Sequence, residues 1–233
     1  MQAPDQIVVS VRDATYRRGA YRSFAHVSLD LRRGIPLALL SFSPAPVRDL
    51  LLALVGVVEP TSGSCVLHIP RGGLLHGTGA GIGVVSGIWE PDPSWTVGEA
   101  LRREPASSDE VDDLEFLALL SLATEFDRRI GDLDPAARGR FSAALALRSA
   151  RSIAAVDLTD PFIAGIPFED LLALMGDIVA LSVELDIPCV VGTSEPRAAV
   201  LAPSAHPLDI PEAEALERLG YPSAMRREGP DHA

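Results

Sequence analysis

The sequence predicts an α/β protein built on a mostly parallel sheet, into which a helical segment is inserted. Short apolar runs, many of them β-branched, alternate with helical segments through most of the chain. Such alternation is typical of parallel strands joined by crossover helices. From Thr96 to Ser149 the pattern is helical throughout. With 233 residues and 47% hydrophobic residues, the chain fits one compact domain, with or without an inserted lobe.

The first half supplies most of the strand signals. Residues 7–11 are mostly β-branched, residues 24–31 alternate apolar and polar, and residues 37–40 form a continuous apolar run suited to a buried parallel strand. A helix is predicted over residues 46–57, because Pro46 suits the first helical position and Asp49 puts a carboxylate in the first turn. Strands follow at 65–69 and 82–85, with a glycine-rich loop at 72–83 between them.

The second half begins with helices at 97–103, 111–124 and 135–149. Asp134 and Pro135 suit the N-cap and first position of the third helix. Further strands are expected at 153–158 and 188–193, with helices at 168–185 and 195–201. The tail from residue 211 is acidic and then polar, and its end is predicted to be disordered.

Composition excludes several classes of function. A net charge of −12 argues against binding to nucleic acid or to anionic lipid, because both need a basic surface. We expect a cytoplasmic protein without a signal peptide or a membrane span, since charges and prolines interrupt every apolar run before about 18 residues. All 20 basic residues are arginines, which excludes every mechanism that needs a lysine ammonium. His68 and His76 have no third ligand nearby, so no metal site is predicted.

Several ordered landmarks carry a family resemblance. Gly56 and the run Pro60-Thr61-Ser62-Gly63 close a strand–loop–helix unit, and Thr96-Val97-Gly98-Glu99 opens the helical segment. Leu133 to Leu147 follows as a helix with arginines at 138 and 140, and Asp160-Pro161 ends a later strand. With this spacing, residues 5–202 resemble the ATP-binding subunits of ABC transporters.

The resemblance implies a P-loop-NTPase-like ABC ATPase fold: a mostly parallel sheet, an N-terminal antiparallel β part and an inserted helical subdomain. It divides the chain into two core parts at 1–95 and 150–210, a helical subdomain at 96–149 and a tail at 211–233.

The resemblance also places a phosphate loop at residues 41–49, where the residue types that the family uses to bind phosphate and Mg²⁺ are absent. Working loops present glycine amides and a lysine to the phosphates and a hydroxyl to Mg²⁺. Here the glycine positions fall on Ser41, Pro44 and Pro46, the lysine position on Val47, and the next two on Arg48 and Asp49. Prolines have no N–H, and a carboxylate at a helix start would occupy the place of an anion.

At the remaining motif positions the residues that carry the family's chemistry are also absent. The metal-sensing glutamine falls on Gly87, and the switch histidine falls on Ser194. The Walker B aspartate falls on Thr159 and the catalytic glutamate on Asp160, which is one methylene shorter. The signature sequence becomes Leu133 followed by Asp134, Pro135, Ala136 and Ala137.

These losses predict a pseudo-ATPase that binds neither ATP nor Mg²⁺. About five lost charge-assisted hydrogen bonds remove roughly 8–15 kcal/mol, whereas a micromolar site has only about 8 kcal/mol in total. The expected role is a structural or regulatory subunit, docked on a permease beside an ATP-competent partner at the inner face of the membrane. Two alternatives stay open: a free-standing regulatory module, and an ATPase with a rearranged site that uses Arg48. Trp89 and Trp95 either line the permease-docking groove or belong to an ordinary packed loop.

Overall fold

The computed structural model describes residues 6–68, 79–104 and 112–208. The predicted tail at 211–233 and most of the glycine-rich loop, including His76, lie outside these ranges. The described residues form the strands β1 Ile7–Arg18, β2 Tyr21–Arg32, β3 Leu37–Leu40, β4 Ser62–Leu67, β5 Ala80–Ile82, β6 Ile153–Asp157, β7 Cys189–Thr193 and β8 Ser204–Pro207. The α-helices are α1 Pro44–Leu54, α2 Val97–Arg103, α3 Asp113–Leu119, α4 Pro135–Ser149, α5 Phe168–Glu184 and α6 Pro196–Ala199.

The strands form two sheets. β1, β2 and β4 make an antiparallel sheet in the order β2-β1-β4, and the other five make a sheet in the order β5-β6-β7-β3-β8 whose described pairs are all parallel. β3, β6 and β7 are buried along their whole length, which is why their sequences are continuously apolar.

Alternate residues of the parallel strands face two hydrophobic clusters. Ala38 and Leu40 pack with the helices that follow α1, whereas Leu37 and Leu39 pack with α1 and the antiparallel sheet. This alternation follows from the period of two along a strand. The parallel sheet is therefore a central layer covered on both faces.

Helices α2, α3 and α4 lie in the chain between β5 and β6 and form the predicted helical insertion. Thr96 and Glu99 form a reciprocal capping box at the start of α2. Asp134 caps α4 as predicted, since its Oδ1 accepts a hydrogen bond from the N–H of Ala137 at 2.8 Å. Arg148 pairs with Asp113 and so joins α4 to α3. The predicted fold class is confirmed.

Several predicted boundaries are wrong. The first helix starts at Pro44 and ends at Leu54, because Pro44 also fits the first position and Gly56 adopts a φ of +78° that terminates the helix. The strand predicted at 82–85 ends at Ile82, since the N–H of Val84 donates to Ser142 Oγ instead. Strand β8 was not predicted. No helix in the described ranges combines the length and apolar character needed to cross a bilayer.

Candidate functional site

The predicted site residues of three segments meet at the carboxyl ends of β3, β6 and β7. In parallel α/β sheets, ligands bind in the crevice outside these strand ends. Leu40 pairs with Thr193 and Asp157 pairs with Gly192, so the β3–α1 connection lies beside the segments after β6 and β7. The N–H of Ser41 donates to the carbonyl of Thr193 at 3.1 Å.

Only Ser41, Phe42 and Ser43 connect β3 to α1. Ser41 is buried, and its hydroxyl accepts from the N–H of Ser43 at 3.0 Å and donates to the carbonyl of Ser43 at 2.8 Å. The N–H groups of Ser41 and Ser43 are thus engaged within the protein, and Pro44 and Pro46 have none. A phosphate cradle needs converging amides, and this connection offers few.

Val47, at the predicted lysine position, points into the sheet. Its side chain is 0% exposed. A Cβ built on Gly192 would lie 2.0 Å from Val47 Cγ1, so the valine packs directly against the backbone of β7. The glycine is required here by close approach rather than by backbone conformation.

Asp49 does not lie in the first turn of α1, so the prediction of a carboxylate at the helix start is wrong. Because α1 begins at Pro44, Asp49 lies in the second turn, and the first turn has no acidic residue. Its side chain is 1% exposed, and Oδ1 accepts a hydrogen bond from Arg18 Nη2 at 2.7 Å. Arg48 Nε lies 3.5 Å from the same oxygen. The carboxylate is thus shared by two arginines.

A second buried carboxylate ends β6. Asp157 is 2% exposed, and its Oδ1 accepts hydrogen bonds from the N–H of Thr159 at 2.8 Å and from Thr159 Oγ1 at 2.6 Å. Burial raises the pKa of Asp157 to about 6, helped by the nearby charge of Asp160 and opposed by Thr159 and Arg48. Thr159, at the predicted Walker B position, therefore serves as a hydrogen-bond donor to Asp157.

Asp160, at the catalytic-glutamate position, joins two segments. Oδ1 caps the following 3₁₀ turn by accepting from the N–H of Phe162 at 2.8 Å, and it also accepts from Ser86 Oγ. Oδ2 accepts from the N–H of Ser86 at 2.8 Å. Both oxygens of this buried carboxylate thus hold protein groups rather than face an open site.

Gly87 and Ser194 both lie at exposed positions beside these segments. Gly87 has a φ of +76°, and its N–H donates to Glu90 Oε1 at 2.7 Å. Ser194 directly follows β7, where Thr193 Oγ1 accepts from the N–H of Glu195 at 3.1 Å.

The predicted signature residues belong to a different place in the fold. Asp134, Pro135, Ala136 and Ala137 open α4, with Asp134 as N-cap and Pro135 at the first position. The next residue, Arg138, lies with its guanidinium 5.7 Å from the Phe162 ring centre.

Trp89 and Trp95 are both half-buried and pack against the larger hydrophobic cluster. The backbone of Trp89 pairs with Val85 in a tight turn, and Arg103 stacks 4.0 Å from the Trp95 ring centre. A cavity of about 230 Å³ adjoins this segment, lined by Glu90, Pro91, Pro93, Ile130, Gly131, Arg138 and Phe162. Trp89 and Trp95 thus pack toward the protein interior, and the cavity lies beside the residues between them.

Comparison of the structure with known structures decides the fold. One neighbour is cbiO1 from Clostridium perfringens, part of the ABC transporter complex cbiONQ, with a TM-score of 0.63 over 88% of this chain and 85% of that chain at 15% identity. Another is the dimeric structure of MJ0796, a bacterial ABC transporter cassette, with a TM-score of 0.61 over 86% of this chain and 94% of that chain at 17% identity.

The chain has the fold of an ATP-binding cassette domain. The predicted resemblance is thereby confirmed at the level of the fold. No family model and no curated protein matches the sequence. The assignment of the family's motif positions to residues of this chain stays a prediction. It rests on sequence spacing and on the geometry described above.

Three side chains of the site were missed by sequence reasoning. Asp157 follows four buried apolar residues of β6, and a carboxylate directly after such a run is a signal that could have identified it. Ser86 and the role of Arg18 could not be found in this way, because their partners Asp160 and Asp49 are 74 and 31 residues away.

Proposed function

We propose that this chain is a non-hydrolysing subunit with the ATP-binding cassette fold, which docks on an ABC transporter permease beside an ATP-competent partner. The observation that carries the proposal is the buried Val47. The position that resembles the phosphate-binding lysine holds an uncharged side chain packed on Gly192. A side chain in this place cannot neutralise a phosphate.

The surrounding residues do not fit MgATP either. Two amides of the β3–α1 connection are engaged within the protein, and Pro44 and Pro46 in the first turn of α1 have no N–H. Asp160 has both carboxylate oxygens in hydrogen bonds to Ser86 and Phe162, which leaves it poorly placed to accept a proton from water. We assign neither a nucleotide nor a magnesium ion to the site.

An ATPase with a rearranged site would need Arg48 to replace the lysine. The Arg48 guanidinium lies 3.5 Å from Asp49, and its charge also acts on Asp157. Two buried carboxylates close to the arginine partly neutralise its charge, so it attracts a phosphate less strongly. The non-hydrolysing role is therefore the better proposal.

Nucleotide binding is tested by thermal unfolding and equilibrium dialysis with MgATP at millimolar concentration. A ligand present at 100 times its Kd stabilises a protein by about 2.7 kcal/mol, which would raise the Tm by several degrees. We expect no change in Tm and no phosphate release. Arg48→Ala is the matched variant: MgATP stabilisation that is present in the wild type and absent in this variant would establish the rearranged ATPase instead.

For docking, we propose that a cytoplasmic helix of the permease covers the cavity beside residues 90–93, which places the chain at the inner face of the membrane. The cavity combines proline and phenylalanine surfaces with one cation, Arg138. Ile88 lies next to this segment and is 50% exposed, an apolar contact that a partner would cover. One neighbour of the same fold is described as part of a transporter complex.

Docking is tested by affinity purification from detergent-solubilised native membranes, with partners identified by mass spectrometry. We expect a permease and an intact cassette subunit to copurify. Ile88→Asp should abolish this copurification, whereas Val66→Asp, on β4 and 46% exposed, should preserve it. Recovery of the wild-type chain alone would favour the free-standing module.

A further inference from the structure

Asp160 is a buried carboxylate that holds two segments bordering the cavity beside residues 90–93. It is 4% exposed. Its Oδ2 accepts from the N–H of Ser86 at 2.8 Å, while its Oδ1 accepts from Ser86 Oγ and from the N–H of Phe162 at 2.8 Å. No ion pair involves Asp160 among the residues that the structure describes. Since a buried charge is costly without hydrogen bonds, the carboxylate and these two neighbours hold one another in place.

Ser86 begins the segment that forms one side of the cavity. Val85 and Trp89 pair with each other across a tight turn that contains Ser86. The N–H of Gly87 donates to Glu90 Oε1 at 2.7 Å, and Glu90 lines the cavity. The hydrogen bonds from Asp160 to Ser86 therefore fix where this side of the cavity begins.

Phe162 and Arg138 form another side of the same cavity. The Arg138 guanidinium lies 5.7 Å from the Phe162 ring centre, and its Nη2 donates to the carbonyl of Gly131 at 3.2 Å. The N–H of Phe162 is held by Asp160. One carboxylate thus joins this side to Ser86, which lies 74 residues from Asp160 in the chain.

We propose that Asp160 is a positioning residue, which fixes the spacing of the two sides of the cavity and so prepares it for the docked permease helix. The proposal rests on the docking function proposed above and adds a role for a residue at the catalytic-glutamate position. A carboxylate offers two acceptor oxygens, so a single short side chain can hold both segments at once. A surface that is ordered in advance binds more tightly, because fewer groups lose freedom on binding.

The spacing is tested on the full-length chain alone, by residue-resolved amide hydrogen exchange in NMR. A hydrogen bond to a charged group corresponds to a factor of about 10 to 150 in an equilibrium constant. Asp160→Ala should therefore accelerate exchange of the Ser86 and Phe162 amides about ten-fold or more. An amide side chain has a single acceptor oxygen, so Asp160→Asn should accelerate exchange at one of these two amides and leave the other protected. A general loss of stability would accelerate both.

The matched control is Asp112→Ala. Asp112 also caps a helix through its carboxylate, which accepts from the N–H groups of Leu114 and Glu115, but it does not line the cavity. Its replacement should leave exchange at Ser86 and Phe162 unchanged. Cooperative urea unfolding shows that each variant is folded, and Asp160→Asn decides the question if Asp160→Ala does not fold.

Copurification with the permease gives the second measurement. We expect a decrease of at least about five-fold for Asp160→Ala, which keeps Ile88 and the residues that line the cavity, and no decrease for Asp112→Ala. Wild-type exchange rates at both amides in the Asp160 variants overturn the proposal, as does faster exchange with undiminished copurification. A wild-type chain that copurifies with no permease refutes the docking function instead, and the exchange rates still decide whether Asp160 holds the two segments.

Discussion

The ion pair between Arg18 and Asp49 should be a measurable source of stability. Asp49 is 1% exposed on the α1 side, and Arg18 reaches it from the end of β1 at 2.7 Å. The pair thus ties the antiparallel sheet to the first helix of the parallel layer. We predict that Arg18→Ala destabilises the fold while Arg17→Ala, one position earlier and exposed, changes stability by no more than about 0.5 kcal/mol.

The magnitude follows from burial. Removing one partner of a fully buried pair costs about 3–5 kcal/mol, because it leaves a charge without compensation. Arg18 is 44% exposed, and Arg48 remains 3.5 Å from the same oxygen, so solvent and the second arginine reduce the loss. We therefore expect about 2 kcal/mol for Arg18→Ala. Asp49→Asn should cost less, about 1 kcal/mol, since the amide oxygen still accepts a hydrogen bond.

The assay is urea unfolding of the wild type, the two single variants and the double variant. The coupling energy isolates the pair, because effects on the unfolded chain largely cancel in such a cycle. We expect a coupling of about 1 kcal/mol or more that decreases at high salt. Strictly additive single effects would refute the inference that Arg18 stabilises the fold through Asp49.

Two further predictions concern β6 and β7. Because folded Asp157 has a pKa of about 6 against an ordinary 3.8, the folded state holds its proton to higher pH, and stability falls as pH rises from about 4 to about 6. The difference between the two pKa values corresponds to a change of about 3 kcal/mol in the free energy of unfolding. Asp157→Asn does not titrate, so its stability relative to the wild type should increase by up to that amount between pH 4 and pH 7 in urea unfolding; a constant difference would contradict the assignment. Gly192→Ala should destabilise the fold by about 2 kcal/mol through overpacking against Val47. Gly176→Ala, in α5 with open space at its Cβ, should stabilise it by about 0.5–1 kcal/mol, and equal thermal shifts for the two variants would disprove the packing argument.

The buried layers could be predicted from the sequence because their signals are local. Continuous apolar runs gave β3, β6 and β7 within one residue at each end, and Asp134 with Pro135 fixed the start of α4. β8 has no such signal. Its residues Ser204–Pro207 are exposed or half-buried, and the strand exists because the edge of β3 is available for pairing.

The site was harder to predict because its interactions join distant segments. Pro44 and Pro46 are equally suited to a first helical position, so the sequence alone could not decide where α1 begins. That choice determines whether Asp49 caps the helix or turns inward to Arg18, and the structure selects the second. The prolines and Val47 oppose nucleotide binding in either case, because neither a missing N–H nor a buried valine depends on where the helix starts. The proposed non-hydrolysing role therefore follows from the missing N–H groups of the prolines and from the packing of Val47 on Gly192, and it does not require the repulsive carboxylate that the sequence predicts at the helix start.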